Sequence, residues 1–488
     1  MLTQELQAIY ANNAGLLITS LLAFALLALV VRSFLRSEKI PLVNAGLPIL
    51  GNLQKYSLDP VGFIASATSR HGECFTVPML FGRTIWLRSP QLNKEYLETR
   101  EDVWSFGDGM GLFLNKIVIP GYFGHLRSMV GSLSRGISRK ATLEYYAQVA
   151  DEETAKAVDG WTCKSEAENS VALFEEISFL VHKIIVRCLM GQDFYDHHVR
   201  ELYDLLRTME ANVGSIWHTV LPGWVAHGPA RRLWRCRQRV QEIFDFRLRE
   251  RERSPEEWKE SLDYISYTLQ DPATAHLSRF YGAHHTLLMF AAHTSTVASI
   301  SWILLELLKS LHRLQRLREE LATHALEQSP FLDALIKETG RHYSGNSDVR
   351  WARKPKTLRT EVASVPGSPI TIPEGTIVSI SPYLTHHDPA AWDNADTYLP
   401  ERWLADSDLA KKMNEGGQLR YIPFGAGSHR CPGEKMAILI AKIAVARIVQ
   451  SCDLAWGEGS SEDTLGGLDF SKVGSPWLKG DVQVRFQV

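Results

Sequence analysis

A single cysteine near the C-terminus stands in a setting that suits metal binding. Cys431 ends a glycine-punctuated loop, residues 424–433 (FGAGSHRCPG), and the apolar run 434–448 after it has the length and the helix formers of a buried helix. Cys431 therefore precedes a helix N-terminus, where unpaired backbone N–H groups and the helix dipole stabilise a thiolate. Phe424 can form a wall of the site, and the glycines let the backbone approach a flat ligand. A thiolate that ligates a haem iron needs such surroundings.

A second polar group lies inside a long apolar stretch. No charged residue occurs between Arg279 and Glu306, yet His293, Thr294 and their neighbours place imidazole and hydroxyl groups together. Such groups can hold water and relay protons. The stretch is long enough to cross a membrane, but its polar residues favour a helix that is buried through a soluble core, and we predict the latter.

A third pattern consists of charges that fit a buried network. Glu338 and Arg341 are three residues apart and share one face of a helix that Ser329-Pro330 would open. Arg402, in a Pro-Glu-Arg stretch well downstream, could complete a bidentate charge network with them. We expect this network to support the fold and to take no part in the chemistry.

The cysteine loop, read as Phe-x-x-Gly-x-His-x-Cys-x-Gly, resembles the haem-binding loop of the cytochrome P450 family. His429 stands where most members carry arginine, which is similar to the sterol 14α-demethylases. The stretch 290–295 resembles the oxygen-activating motif of the family, with Ala291 at the usual glycine and His293 at the usual acid. The charged trio resembles the structural lock of these proteins.

The resemblance implies a cofactor and a set of residues that hold it. The cofactor is haem b, with Cys431 as the axial ligand of the iron. Thr294 and His293 would be the catalytic residues that handle dioxygen and protons. The haem and its propionates would be bound by Phe424, Gly427, His429, Arg353, Arg127 and Gly433. Arg127 lies four residues after Phe123, where the family usually has a tryptophan.

Composition and cysteine spacing fit this reading. The chain has 488 residues, of which 45% are hydrophobic and 22% charged, so we expect a globular protein. A net charge of −2 gives no reason to expect nucleic acid as a partner. The six cysteines are spread along the chain without a Cys-x-x-Cys pair. Their spacing argues against a zinc ribbon or a dense disulfide framework and fits a reducing compartment.

The N-terminal region predicts a membrane anchor. Residues 14–31 are uncharged and almost wholly apolar, and as a helix they would span roughly 27 Å, close to the hydrocarbon core of a bilayer. Arg32, Arg36 and Lys39 follow, which places the rest of the chain in the cytoplasm. A cleaved signal peptide is the alternative, although no basic residue precedes the apolar run.

These observations predict a mainly α fold with a small β part: the cytochrome P450 fold preceded by an N-terminal transmembrane helix. Residues 1–36 would be the anchor, 37–56 a proline-rich hinge like that of microsomal members, and 57–488 the haem-binding monooxygenase domain. We expect helices over most of 121–320 and short strands over 350–382 and 481–488. Two tryptophans within 216–225, followed by arginines, fit either a membrane-interface lid or a partly buried loop.

The resemblance implies a monooxygenase of the endoplasmic reticulum membrane. It would use O2 and electrons from NADPH–cytochrome P450 reductase, with cytochrome b5 as a second donor, to oxidise a bulky apolar compound. We expect a specialised metabolite such as a terpenoid or a sterol-like compound. Haem-thiolate isomerase or dehydratase, sterol 14α-demethylase and haem-binding sensor remain alternatives. Residues 112–129 lack the tyrosine-aspartate pair of the demethylases. Lys411, Lys412, Arg430 and Lys435 form either a reductase-docking face or a solvated surface.

Overall fold

A computed structural model describes residues 40–44, 52–79, 82–168, 170–215, 225, 227–359, 369–404 and 420–487. The predicted anchor, much of the predicted hinge, the segment 216–224, and Lys411 and Lys412 lie outside the described residues. So do residues 360–368 of the region 350–382 in which short strands are expected.

The described part of the chain is mainly helical, as predicted. Proline at the first or second position begins several of these helices, because proline has no N–H to leave unpaired there. The helices are α1 Leu53–Leu58, α2 Pro60–His71, α3 Pro90–Glu98, α4 Phe106–Leu114, α5 Leu126–Ile137, α6 Lys140–Glu168, α7 Leu173–Met190, α8 Gln192–Val213, α9 Gly228–Arg253, α10 Pro255–Trp258, α11 Tyr264–Gln270, α12 Tyr281–Lys309, α13 Leu311–Thr323, α14 Pro330–His342, α15 Pro382–His386 and α16 Glu434–Ser451.

The β part is small and is built from short strands. The largest sheet has the order β1-β2-β8-β5-β3, in which β2 and β8 are parallel and the other neighbours are antiparallel. The strands are β1 Cys74–Met79, β2 Gly82–Leu87, β3 Trp104–Ser105, β4 Val171–Ala172, β5 Asp348–Ala352, β6 Lys356–Thr357, β7 Thr371–Ile372, β8 Ile377–Ile380, β9 Asp453–Trp456, β10 Leu468–Asp469, β11 Trp477–Leu478 and β12 Gln483–Gln487.

Helix α12 runs through the centre of the helical part. It packs against α7, α9, α14 and α16, and most of its side chains are buried. The segment Ala275–Lys309, which contains α12, is long and apolar enough to cross a membrane, but 72% of its most apolar window is buried inside the protein. The prediction of a buried core helix at this place is confirmed. Because α7, α8 and α16 surround α12, its polar residues meet groups from distant parts of the sequence.

Candidate active site

The cysteine loop is held by its own backbone and by glycines that no other residue could replace without strain. The Cys431 N–H donates to the Phe424 carbonyl at 2.8 Å, which closes the loop. Gly425 and Gly427 have φ of 66° and 67°, in the left-handed region. At Gly427 a Cβ atom would also lie 2.7 Å from the Leu97 carbonyl oxygen, so the loop packs directly on the end of α3.

Cys431 lies three residues before α16, as predicted, and its side chain is exposed on one side. Burial of its other side raises the pKa of the Cys431 thiol. The backbone N–H groups of Gly433 and Glu434 act against burial and lower this pKa, whereas the Glu434 carboxylate raises it. The helix N-terminus therefore points donors at the sulfur, but a fully formed thiolate needs a positive charge close by. A bound metal ion supplies such a charge.

The charged trio forms a buried network, and the structure brings all three predicted residues together. Glu338 and Arg341 are 0% exposed and Arg402 is 6% exposed. The Arg341 Nη2 and Arg402 Nε atoms lie 2.8 and 3.2 Å from Glu338 Oε1. Trp403, which the sequence did not suggest, donates its indole N–H to Glu338 Oε2 at 2.8 Å. Other Arg341 donors end on the backbone carbonyls of His386, Ala395 and Thr397.

His386 connects this network to the cysteine loop. Its Nε2 accepts the Ile422 N–H at 2.9 Å, and its Nδ1 lies 3.0 Å from the Ser344 hydroxyl. Burial, together with the Arg341 charge, lowers the pKa of His386 to about 3, so the ring is neutral at physiological pH. Gly340 leaves room here, because a Cβ atom would lie 3.1 Å from Pro423. Gly340, between Glu338 and Arg341, thus allows the loop to pack closely on α14.

A buried arginine with unused donors lies beside this loop. Arg350, on β5, is 0% exposed, and its Nη1 donates to the carbonyls of Tyr96 and Thr99 at 2.6 and 3.0 Å. Within the described part of the chain, its Nε and Nη2 atoms have no hydrogen-bond partner. The charges of Arg350 and His429 both lower the pKa of buried Asp348, although burial raises that pKa overall. Arg350 and His429 therefore share one neighbourhood, which suits an anion.

The three expected haem contacts with basic side chains differ from one another in their surroundings. His429 stacks on Phe106, with ring centroids 5.3 Å apart, and its Nε2 lies 3.1 Å from Glu101 Oε2. Arg353 is 44% exposed and forms a bidentate pair with Asp108, with a 2.7 Å Nη2–Oδ1 contact. Arg127 is exposed on α5, and it forms no ion pair with any described residue.

Arg353 was expected to bind a propionate, but its guanidinium is already occupied at the surface by a carboxylate. Arg350 is the arginine that carries unpaired donors in the interior. Arg353 stays a predicted propionate ligand, and Arg350 is a second candidate that the sequence reading missed. Arg350 lies within β5, whereas Arg353 follows its end.

Helix α12 presents its polar residues on two sides. Thr294 is 1% exposed, and its hydroxyl donates to Glu210 Oε1 on α8 at 3.2 Å. His293 is 0% exposed, and its Nδ1 lies 2.9 Å from the same oxygen. A less buried stripe of the helix, here called the uncovered stripe, is formed by residues four apart: Ala291 is exposed, and Leu287, Ser295 and Ser299 are half-buried.

The role of Thr294 in handling dioxygen stays a prediction, and in this structure its hydroxyl is directed to Glu210 on α8. Successive residues of an α-helix are rotated by about 100°, so a shift of one residue moves a side chain to another face. The Ser295 Oγ lies on the uncovered stripe, near the loop that contains Gly474, and it accepts the Ser475 N–H at 3.3 Å. Glu210 is a further residue that the sequence reading missed, because it is 83 positions from His293.

Comparison with known proteins identifies the family. The family model for cytochrome P450 matches residues 41–476. The cytochrome P450 monooxygenase pytD of Aspergillus terreus is 97% identical over 379 residues, which cover 78% of this chain and 100% of that protein. The cytochrome P450 monooxygenase pynD of Aspergillus niger is 51% identical over 450 residues, 92% of each chain. The chain belongs to the cytochrome P450 family, and it is a cytochrome P450 monooxygenase.

More distant relatives agree with the sequence reading. Sterol 14-alpha demethylase CYP51A of Gibberella zeae is 25% identical over 482 residues, 89% of this chain and 92% of that protein. The structure of retinoic acid bound cyanobacterial CYP120A1 superposes with a TM-score of 0.76 at 18% identity, and it covers 93% of this chain and 100% of that chain. The mainly helical fold with a small β part is therefore the P450 fold, as predicted.

The family implies a haem with a thiolate ligand and a reductase as redox partner. The residues of this chain fit such a group. Cys431 offers an exposed sulfur beside backbone N–H groups, and Arg350 offers two buried N–H donors that no described residue uses. An anionic propionate is the kind of acceptor that these donors lack.

Proposed function

We propose that this chain is a haem b monooxygenase of the endoplasmic reticulum membrane, in which the Cys431 thiolate is the axial ligand and the substrate is a bulky apolar specialised metabolite. The cysteine loop carries the proposal, because its exposed sulfur lies among backbone N–H donors at the start of α16. When bound, the haem supplies activation of dioxygen at an iron whose thiolate ligand favours O–O cleavage.

Haem binding assigns roles to residues on both sides of the loop. Phe424, Gly427 and Gly433 shape the loop around the cofactor. His429 and Arg350 hold propionates; Arg350 replaces Arg353 in this role because its free donors are buried and those of Arg353 are paired with Asp108. Arg127 remains a candidate for a further propionate contact. Glu338, Arg341 and Arg402 hold the base of the loop in place.

The uncovered stripe of α12 forms the opposite wall of the proposed site. Ala291 is exposed there and has no side chain beyond Cβ, so a reacting molecule can approach the helix. Ser295 offers the hydroxyl on this wall. Thr294 and His293 act from behind it, through Glu210, as holders and donors of protons.

Apolar side chains support an apolar substrate. Leu112 and Phe113, near the end of α4, are 46% and 51% exposed, and together they offer an apolar surface. We propose a terpenoid or a sterol-like compound as the substrate class. NADPH–cytochrome P450 reductase would supply electrons, with cytochrome b5 as a second donor.

The ligand assignment is tested by the absorption spectrum of the reduced, CO-bound protein. We expect the red-shifted Soret band of a thiolate-ligated haem, and we expect Cys431→Ala to abolish it. Cys163→Ala is the matched control, since Cys163 is also an exposed cysteine, and this variant should keep the band. A band that survives in Cys431→Ala would overturn the assignment.

The propionate assignment is tested by a pair of arginine variants. Arg350→Gln should lower haem content severalfold after purification, whereas Arg353→Gln should stay within about twofold of the parent. Arg350→Lys retains the charge without the fork geometry and should show an intermediate content. If Arg353→Gln lowers the haem content more than Arg350→Gln does, the propionate-binding role belongs to Arg353.

The substrate class is tested by reconstitution with the reductase and a panel of terpenoids and sterols. We expect NADPH consumption and oxygenated product to depend on the reductase and on an apolar substrate. Turnover without any reductant would indicate an isomerase or dehydratase. Clean removal of a 14α-methyl group would identify a sterol demethylase and contradict the proposed substrate.

A further inference from the structure

Six side chains form a closed ring that extends from the protein surface to α12. The ring joins Glu175 and Ser178 on α7, Tyr203, Arg207 and Glu210 on α8, and His293 on α12. Its oxygen and nitrogen atoms lie between 2.8 and 3.1 Å apart at every step. Glu175 is 51% exposed, whereas Tyr203 is 3% exposed and Ser178 and His293 are fully buried. The ring therefore connects solvent with the interior of the molecule.

With Glu175 ionised, one branch of the ring allows one set of proton positions. Tyr203 donates its phenolic proton to Glu175 Oε1 at 2.8 Å. The Ser178 hydroxyl lies 2.9 Å from the Tyr203 oxygen, and it must donate there because the tyrosine proton is already used. Ser178 can then offer His293 only acceptors, so the Nε2 of His293 carries a proton. Its Nδ1 lies 2.9 Å from Glu210 Oε1, and in this arrangement it carries a second proton that it donates to that oxygen.

A second arrangement satisfies the same contacts. If Glu175 holds a proton, it donates to Tyr203, Tyr203 donates to Ser178, and Ser178 donates to a neutral His293. The two arrangements have the same heavy-atom positions and differ by one proton, which has moved between Glu175 and His293. No atom of the backbone has to move for this exchange.

The charges at the two ends of the ring suit such a transfer. His293 and Arg207 hold the pKa of Glu210 below its ordinary value although burial raises it, so this carboxylate stays ionised and accepts a hydrogen bond from the His293 Nδ1. Burial raises the pKa of Tyr203, so its phenol remains protonated and acts only as a carrier. Thr294 donates to the same Glu210 oxygen, one residue before Ser295.

We propose that Glu175, Tyr203, Ser178, His293 and Glu210 are a proton relay that feeds the α12 wall of the active site from solvent. A proton enters at Glu175, the two hydroxyl groups reverse their donation, and His293 gains a proton at Nε2. His293 gives up its Nδ1 proton to Glu210 Oε1, beside Thr294. One proton is taken up and one is delivered, with no change in oxidation state. The relay rests on the proposed role of the α12 wall in dioxygen reduction, which consumes protons together with electrons.

Ring-proton exchange in the holoprotein tests the relay without turnover. In reduced, CO-bound protein labelled with ¹⁵N-histidine, the N–H protons of His293 should exchange with solvent although the imidazole is fully buried. Tyr203→Phe, Ser178→Ala and the surface variant Glu175→Gln should each slow this exchange at least tenfold. Tyr195→Phe is the control, because Tyr195 is also on α8 and donates to a carboxylate, that of Glu153, at 2.8 Å outside the ring.

Turnover gives the second measurement. Each ring variant should divert consumed NADPH from product to hydrogen peroxide severalfold more than the parent, and Tyr195→Phe should not. Exchange rates and product yields that are unchanged in Ser178→Ala and Glu175→Gln would overturn the relay while the monooxygenase activity of the parent stands. If the parent itself gives no reductase-dependent oxygenation, the proposed function fails, and the exchange rates still decide whether protons travel through the ring.

Discussion

The two sides of the proposed active site each contain a buried glutamate that is bound by arginine, but they differ in how its partners are arranged. Around Glu338, both arginines are also buried, and several of their remaining donors end on backbone carbonyls. Around Glu210, Arg207 is 31% exposed, and the ring continues through side chains to a glutamate in water. The first arrangement fixes a structure, whereas the second leaves protons free to move.

The difference follows from the kinds of partner. A backbone carbonyl can accept a hydrogen bond but cannot exchange a proton at physiological pH, so the Glu338 network has one arrangement. Hydroxyl and imidazole groups can both donate and accept hydrogen bonds, so the ring that contains Glu210 has two arrangements of its protons. Buried polar networks of the first kind are costly to break, because removal of one partner leaves a charge without compensation.

Glu338→Gln should have the largest effect on stability. Arg341 and Arg402 would lose their common counter-charge in a buried site, so we expect a loss of about 3–5 kcal/mol in the free energy of unfolding, together with low haem content. Urea unfolding of the purified protein and its haem absorbance measure both. The control is Glu98→Gln, which breaks an exposed helix pair with Lys94 and should cost less than about 0.5 kcal/mol. Equal losses in the two variants would contradict the lock.

Glu210→Gln should have a smaller effect on stability. Its arginine is partly exposed and can be solvated, so we expect a loss of about 1–3 kcal/mol, the range for a buried partner left unsatisfied. The measurement is the same urea unfolding, compared directly with Glu338→Gln. A loss as large as that of the lock variant would show that the ring is a structural network of the same kind.

Low pH should lower the free energy of unfolding, because the buried imidazole of His386, beside the cysteine loop, is neutral in the folded protein. Its pKa in the folded protein is about 3, below the 6.5 of an unfolded chain, so the unfolded state binds the proton first. The stabilisation is complete above pH 6.5 and is lost as the pH falls toward 3, with about 1.4 kcal/mol per pH unit from this proton. His386→Gln should reduce the slope of unfolding free energy against pH by about that amount between pH 6 and 4. An unchanged slope would show that this ring does not remain neutral.

The three charges of the lock could be predicted from sequence, whereas Trp403 and the backbone partners of Arg341 could not. Glu338 and Arg341 share a helix face by their spacing alone, and a Pro-Glu-Arg stretch supplies the third charge. The placement of Cys431 could be predicted as well, because the loop and α16 are adjacent in the sequence. The sequence therefore specified the side of the site that is built from short-range pattern and covalent geometry.

The other side could be predicted only in outline. Thr294 and Ser295 are adjacent, and sequence does not reveal which of them a helix turns toward its neighbours. Arg350 and Arg353 present the same difficulty at a strand end, where burial and not residue type decides which donors are free. Glu210 gave no local signal at all, because α8 meets α12 only through the tertiary packing of helices.

Helix α8 carries Tyr203, Arg207 and Glu210 on one face, at intervals of four and three residues. Hydrogen bonds from these side chains to α7 and α12 have ordinary lengths of 2.8–3.1 Å. A displacement of α8 by one or two ångströms would open the ring at several points together. The position of α8 therefore controls proton transfer. The relay is continuous only while α8 is packed against α7 and α12.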